Sequence, residues 1–426
     1  MTDRAKNQSR LDADVLVVGA GLAGGTQALA LARAGFSVIA VDRMDIAAGL
    51  DAAFDGRASA IAASSWNVLG GLGLGPALMA GACPMEDIRI TDGDAPFFLH
   101  YDHGDLGSRP FGYMVENRTI RRALADAFAT HDGLLVLAPR ALVTLDRDAS
   151  GVTATLDDGT EIAAGLVIGA DGRASEVRRR ANIKLTGWDY KQSGIVCTIV
   201  HERPHQNIAH EHFLPAGPFA ILPLKGEGET EGRVSSLVWT ERADLAPDMM
   251  ALDDAAFQAE IQKRVGDFLG PVTPLPGRWC YPLSLQYAAR TTDRRLALVA
   301  DAAHGMHPIA GQGLNMGLRD VAALTDVLVA GRRLGLDVGD GFQLERYERW
   351  RRFDNTLMLA MTDILNRLFS NSVPPVRVAR DLGLATVNKI PPLKKVFMEH
   401  AMGLVGDLPT LMRDRGEDNA VTGRTP

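Results

Sequence analysis

Three short segments of this chain combine glycine, carboxylate and amide groups at spacings that could hold a nucleotide. The first is GAGLAG at 19–24, which follows the apolar run DVLVV at 14–18 and opens an Ala/Leu-rich stretch of helical spacing at 22–34. Gly19 permits a tight turn, Gly21 lets the backbone approach a pyrophosphate and Gly24 lets helix and strand pack closely, with Ala20 and Leu22 between them. A helix that begins there aims free amides and a positive dipole end at phosphate. Asp42 closes the next apolar run, SVIAV at 37–41, and Arg43 follows it. An acid about 20 residues beyond the glycines is placed to accept hydrogen bonds from a ribose hydroxyl. Strand, turn, helix, strand and acid together predict dinucleotide binding, and leave FAD and NAD equally open.

The second segment, GADGRASEVR at 169–178, sets Asp171, Gly172, a serine and several arginines after another apolar run. On spacing alone it reads as a strand-to-helix turn that Ser175 caps, with the arginines solvated. The third, LVADAAHGMHPIAGQGLNMGLRD at 298–320, says more. Asp301 follows a buried strand, where its carboxylate can accept hydrogen bonds from a polyol such as the ribityl chain of a flavin. Gly311, Gln312 and Gly313 form a loop with little side-chain obstruction, open to a flat ring. A helix over 314–328 follows, with Leu314, Leu318, Val321, Ala322 and Leu328 on its buried face, and its N-terminus favours the negative charge of a reduced flavin. His304 and His307 read as hydrogen-bonded structural groups.

The elements that must position these groups are legible in outline. The runs at 14–18, 37–41, 165–169 and 296–300 read as buried parallel strands. Between 186 and 285 alternating runs such as IVCTIV and RVSSLVWT, separated by Pro and Gly, suit a mostly antiparallel sheet. Helical patterns dominate from 344, interrupted by VPP at 373–375 and IPP at 390–392. The expected fold is therefore α/β: a Rossmann-like nucleotide-binding domain with an inserted antiparallel substrate domain and a C-terminal helical region. The nucleotide domain is expected over 1–80, 111–185 and 286–343, the substrate domain over 81–110 and 186–285, and the helical region over 344–426.

Composition narrows the classes. Hydrophobic residues at 46% and charged residues at 23% exclude a disordered or collagen-like chain. A net charge of -7 with mixed signs argues against nucleic acid as a partner. Cys83, Cys197 and Cys280 are odd in number and far apart, which fits neither a disulfide framework nor a metal site and points to a reducing compartment. The polar N-terminus, MTDRAKNQSR, lacks the pattern of a secretion signal, and no apolar run reaches the roughly 18 residues of a spanning helix. A cytoplasmic protein is expected, with any membrane contact peripheral and on the inner face.

All three motifs, in this order, make the chain resemble the class A flavoprotein monooxygenases of the p-hydroxybenzoate hydroxylase fold. More narrowly it is similar to the ubiquinone-biosynthesis hydroxylases, through DGRASAI at 55–61, YPLSLQYAAR at 281–290 and HPIAGQGLNMGLRD at 307–320. FLPAGPFAILPL at 213–224, SSLVW at 235–239 and YERWRRFDNTLMLAMTDILNRLFS at 347–370 extend the likeness over essentially the whole chain. The resemblance implies FAD contacts from Arg57 and Arg118, and places Asp171 and Gly172 by the nucleotide and the NAD(P)H path. It implies a ribityl contact from Asp301, with Pro308, Gly311, Gly313, Leu314 and Asn315 beside the isoalloxazine ring. Two positions depart from the family pattern: Ala300 replaces a usual glycine and Met316 a common leucine.

The activity implied is hydroxylation of a polyprenylated phenol. NAD(P)H reduces FAD, O2 adds at flavin C4a, and the distal hydroperoxide oxygen passes to the ring; no protein acid or base is obligatory. Phe213, Phe219, Ile221, Leu222 and Pro223 are candidates for an apolar substrate face, although most of them read more readily as mixed core. Residues 391–405, PPLKKVFMEHAMGLV, suit docking on a membrane or partner, or simply covering the core. Another oxidation on the same scaffold, such as a prenyl reductase, and a non-catalytic flavin-bound scaffold are the alternatives. The WxWxIP motif of a flavin halogenase is missing.

Overall fold

The run predicted as the first strand is Arg10–Val18 in the computed structural model, which describes residues 10–51, 55–93, 98–369 and 390–414. This strand pairs in parallel with Val38–Val41 on one side and with Glu161–Gly169 on the other. Leu296–Leu298 lies parallel beyond Glu161–Gly169, and Leu134–Leu137 beyond Val38–Val41. One face of these strands, carrying Val15, Val17 and Ile168, packs on the helices Leu22–Arg33, Asn117–Ala129 and Gln312–Arg333 through Leu29, Leu124 and Leu318. Leu16, Val18 and Val167 on the other face meet Val152 and Ala154 of an antiparallel strand, Val152–Leu156. Burial on both faces explains why these strands are continuously apolar rather than alternating.

A second sheet of eight strands runs in the order His304–Gly305, Val272–Ala288, Leu185–His201, Val234–Arg242, Gly217–Leu224, Ile208–Leu214, Asp87–Asp92 and Phe98–Asp102. All neighbours are antiparallel except Ile208–Leu214 with Asp87–Asp92. Its sequence alternates as a sheet with two different faces must. Ile195, Cys197, Phe219, Ile221, Leu237 and Trp239 pack on Phe257, Ile261 and Val265 of the helix Asp254–Val265. The other set of side chains is left facing the parallel sheet's loops. A small third sheet pairs Gly112–Glu116 with Ala58–Ala62 and Cys83–Met85.

The C-terminal helices Gly341–Phe369 and Pro391–Ala401 complete the described chain, the second beginning at the IPP segment; the VPP segment lies outside the described residues. Tyr347 of the first donates a 2.9 Å hydrogen bond to the Leu298 carbonyl, so this helix braces the strand that leads to Asp301. Among the described residues no helix is long and apolar enough to cross a membrane.

Candidate cofactor and substrate site

The glycine turn is built as its residue types require. Gly19 holds φ +99°, and a Cβ there would collide with the Ala170 carbonyl. The amides of Ala20 and Met44 donate to the two oxygens of Asp42 at 2.8 and 2.9 Å, which fixes the acid at the strand end beside the turn. Gly21, at the helix N-terminus, has open space where a side chain would stand, and no side chain caps the helix. This is a cradle for an anion on free amides. Ala20, Gly21, Leu22 and Asp42 line a cavity of about 1190 Å³, whereas Arg43 is exposed and outside its wall.

A second wall comes from the third motif. Asp301 sits in the turn Ala300–Ala302, and its carboxylate borders the cavity with no hydrogen-bond partner among the described residues. Gly311 adopts φ +62° with the Ala60 methyl 3.0 Å from where a Cβ would lie. The helix Gln312–Arg333 starts two residues earlier than its apolar spacing predicts, and its N-terminus also has no side-chain cap. Asn315 stitches this start to the small sheet: its Oδ1 accepts from the Ala62 amide at 2.9 Å and its Nδ2 donates to the Ala60 carbonyl at 2.8 Å. Pro308, Gly311, Gly313, Leu314 and Asn315 all line the cavity.

Behind this wall lies a buried charge cluster that the sequence did not announce. Asp320 accepts from the Ala300 amide at 3.0 Å, meets His304 Nε2 at 2.6 Å and Arg351 Nε at 2.7 Å. Burial would raise the Asp320 carboxyl, but the charges and hydrogen bonds of His304 and Arg351 outweigh it and bring it down to about 2. His304 is thus the hydrogen-bonded structural group expected. His307 is not: neither ring nitrogen has a partner among the described residues, Tyr190 meets it edge-on at 5.2 Å, and burial lowers it to about 4.

Arg57 reaches the cavity as expected, held by a bidentate pair with buried Asp55 at 2.8 and 2.9 Å and lying 4.8 Å over the Tyr281 ring. Arg118 does not reach it; its side chain pairs with Glu116 at 3.2 Å, away from the cavity wall. Arg121, bonded to Asp55 at 2.6 Å, lines the cavity instead. The helical period carried that signal, since Asn117, Arg121, Leu124 and Phe128 fall on one face and all four line the cavity. Asp171 also stays out of the wall. Ser175 caps the helix Glu176–Arg180 as expected, accepting from the Arg178 amide at 3.0 Å, and Asp171 completes that cap, accepting from the Glu176 and Val177 amides at 2.6 and 3.1 Å and from Ser175 Oγ at 2.5 Å. Ala170 and Arg173 are the motif's cavity residues, and Arg173 is anchored on Ser284 at 2.6 Å.

The far wall is the free face of the second sheet. Phe213 and Leu222 lie on it, as do Val196, Ala220 and Val238. Phe219 and Pro223 do not: strand alternation turns Phe219, with Ile221, into the core beside Trp239, and Pro223 is buried outside the wall. Reading FLPAGPFAILPL as one patch missed this period of two.

The FAD binding domain family model matches residues 12–351. Ubiquinone hydroxylase UbiL of Rhodospirillum rubrum is 52% identical over 94% of this chain and 92% of its own length. The 3-demethoxyubiquinol 3-hydroxylase of Escherichia coli is 36% identical over 92% of this chain and 98% of its own. The chain belongs to the ubiquinone hydroxylase family of FAD-dependent monooxygenases. The fold of this flavoprotein is shared with p-nitrophenol 4-monooxygenase PnpA from Pseudomonas putida, whose solved structure superposes with a TM-score of 0.75 at 18% identity, covering 94% of this chain and 100% of that one. The cofactor is FAD, and the uncapped amides at Gly21 and the open carboxylate of Asp301 suit its two ends.

Proposed function

We propose that this flavoprotein hydroxylates the aromatic ring of a polyprenylated phenol on the route to ubiquinone. It is a monooxygenase of ubiquinone biosynthesis that uses FAD, NAD(P)H and O2. The observation that carries the substrate reading is the continuity of the cavity, from Asp42 and Gly21 past Asp301 to the apolar sheet face at Leu222 and Val238. When bound, FAD takes reducing equivalents from NAD(P)H and lets O2 deliver one oxygen atom to the ring. Asp42 would accept from the adenosine ribose, the amides after Gly21 would hold the pyrophosphate, and Asp301 would accept from the ribityl hydroxyls. The amides opening the helix at Gln312 favour negative charge on the reduced ring, and the sheet face excludes water while holding the prenylated ring. The purified holoprotein is expected to oxidise NAD(P)H faster with a prenylated phenol and to form its hydroxylated product. NAD(P)H oxidation without hydroxylated product would favour another flavin oxidation, and full FAD occupancy with neither would favour a scaffold.

A peripheral membrane contact accompanies this reading. Met398 and Met402 tuck the Pro391–Ala401 helix and its end onto the core beside Leu99 and Phe111, while Val396 and Ile390 stay 52% and 43% exposed. Cosedimentation with anionic vesicles that is lost in Val396→Asp would support such a contact; unchanged cosedimentation in that variant would remove it.

A further inference from the structure

We propose that Glu211 receives the hydroxyl group of the substrate ring, accepting its hydrogen bond and then its proton as the ring is oxidised. The inference rests on the hydroxylase reading and gives that site its missing protein base.

The register of the second sheet isolates this residue. Leu99, Ile90, Glu211, Ala220, Val238 and Val196 stand side by side across six strands, each paired directly with the next. All six border the cavity, and only Glu211 is polar. Ala209 and Phe213, two residues away on the same strand and face, border it too. Of the intervening residues, His212 stacks on Phe268 and His210 meets that ring at a tilt while also touching the cavity edge. Glu211 makes no hydrogen bond or ion pair among the described residues, and it borders the cavity. An unpaired acid in an apolar row opposes folding, so packing gives no reason for it. A ligand hydroxyl in the cavity does.

Other titratable groups border the same space: Tyr101 and His210 on this sheet, the second kept neutral because burial lowers it to about 3, and Asp42, Asp45, Arg57, Arg121, Arg173, Tyr281, Asp301 and His400 on the other walls. Arg57 and Arg173 are already anchored, on Asp55 and Ser284. Burial raises Tyr101, which keeps its proton. Burial alone, with no charged neighbour contributing, pushes the Glu211 carboxyl up to about 7, where it exchanges a proton near neutrality.

The step balances. The phenolic O–H bond breaks, its proton passes to the Glu211 carboxylate and its electron pair enters the ring. A ring carbon ortho or para to that oxygen bonds the oxygen atom supplied from O2, whose O–O bond breaks with the pair leaving on the departing oxygen; NAD(P)H, through FAD, is the reductant. The hydrogen on the attacked carbon then leaves as a proton, which the departing oxygen takes up on its way to water; aromaticity returns, and Glu211 gives its proton back to the ring oxygen.

The test uses FAD-loaded wild type, Glu211→Gln and Glu211→Leu. With a prenylated phenol, Glu211→Gln is expected to lower kcat about 100-fold or more, the scale of general base catalysis, and to abolish the rise of activity with pH near 7, at unchanged FAD content. Binding supplies a readout apart from turnover. Wild type is expected to bind 4-octylphenol at least about tenfold tighter than 4-octylanisole, and Glu211→Leu to erase that preference, the size of one good hydrogen bond. Wild-type kcat and pH profile in Glu211→Gln would overturn the proton step, and an intact phenol preference in Glu211→Leu would overturn the contact. If wild type hydroxylates no prenylated phenol while the octylphenol preference still depends on Glu211, the hydroxylase reading and the proton step fall and the hydroxyl contact stands.

Discussion

Asp301 and Asp171 both follow buried parallel strands, yet their carboxylates are engaged differently. Asp171 spends its oxygens on two amides and a hydroxyl at a helix N-terminus, whereas Asp301 turns its own toward the cavity. Asp301→Ala is therefore expected to release FAD while leaving the fold intact. Asp171→Ala is expected to keep FAD and lose about 1 kcal/mol of stability, the usual cost of a lost cap. Flavin absorbance per protein and urea unfolding of both variants check this ranking, and equal flavin content would contradict it. Glu211 makes a pH argument at the same scale. Its folded value of about 7 exceeds the ordinary 4.5, so between those values the folded chain holds a proton that the unfolded chain has released. Stability from this group is complete below 4.5 and is lost as pH rises to 7, by at most about 3 kcal/mol. Glu211→Gln is expected to gain on wild type at pH 8 relative to pH 5 in urea unfolding. The same difference at both pH values would show an unperturbed carboxyl.

At the scale of elements, the turn that holds Asp301 places a non-glycine residue in a left-handed conformation. Ala300 takes φ +52°, a left-handed conformation that costs a non-glycine residue about 1 kcal/mol. The strand, the Ala300–Ala302 turn and the helix are nonetheless packed tightly, because Gly317 faces the Ala300 methyl: a Cβ on Gly317 would lie 2.7 Å from it. Ala300→Gly is expected to stabilise the holoprotein by about 0.5–1 kcal/mol. Gly317→Ala is expected to destabilise by about 1–3 kcal/mol, and Ala300→Gly to recover part of that loss in the double variant. Melting temperatures of the four proteins close the cycle, and strict additivity would mean the two residues do not meet. Sequence reasoning could single out Ala300 but not its partner, since 16 residues of turn and helix lie between them and only folding sets the distance. The same limit runs through the site. Glycine turns, strand-end acids and the parallel strands were legible because local periodicity and backbone demands fix them. Arg121 over Arg118, and Leu222 over Phe219, depended on which face of an element looked inward. The Glu211 row needed the register of six strands from separate parts of the chain.

Across the whole molecule, the walls that meet at the cavity are tied together by charge as well as by apolar packing. Asp320 on the long helix joins the Ala300 amide of the strand-end turn, His304 of the second sheet's edge and Arg351 of the C-terminal helix. Arg351 also donates to Asp354 at 2.8 Å and Asn355 at 2.7 Å, so each of its three guanidinium nitrogens has a partner in a buried site. Such a cluster does not stabilise in proportion to its contacts, because three charged or polar groups lose their water; breaking it is what costs. Arg351→Met leaves Asp320 buried with one fewer counter-charge and is expected to lose about 3–5 kcal/mol. The loss should reach the cofactor, since the turn that Asp320 anchors carries Asp301. The sign of the acid dependence follows from the lowered carboxyl: Asp320 contributes stability that is present above its ordinary 3.8 and is lost as pH falls through about 2. Without Arg351 the folded value rises, and the loss moves to higher pH. Acid unfolding of the variant is therefore expected to have its midpoint at a higher pH than wild type, with lower FAD retention at neutral pH. Arg351→Lys, which keeps the charge but not the planar fork, should fall between the two. A variant with the wild-type acid midpoint and full FAD content would show that the C-terminal helix merely covers the nucleotide domain and does not hold its site in place.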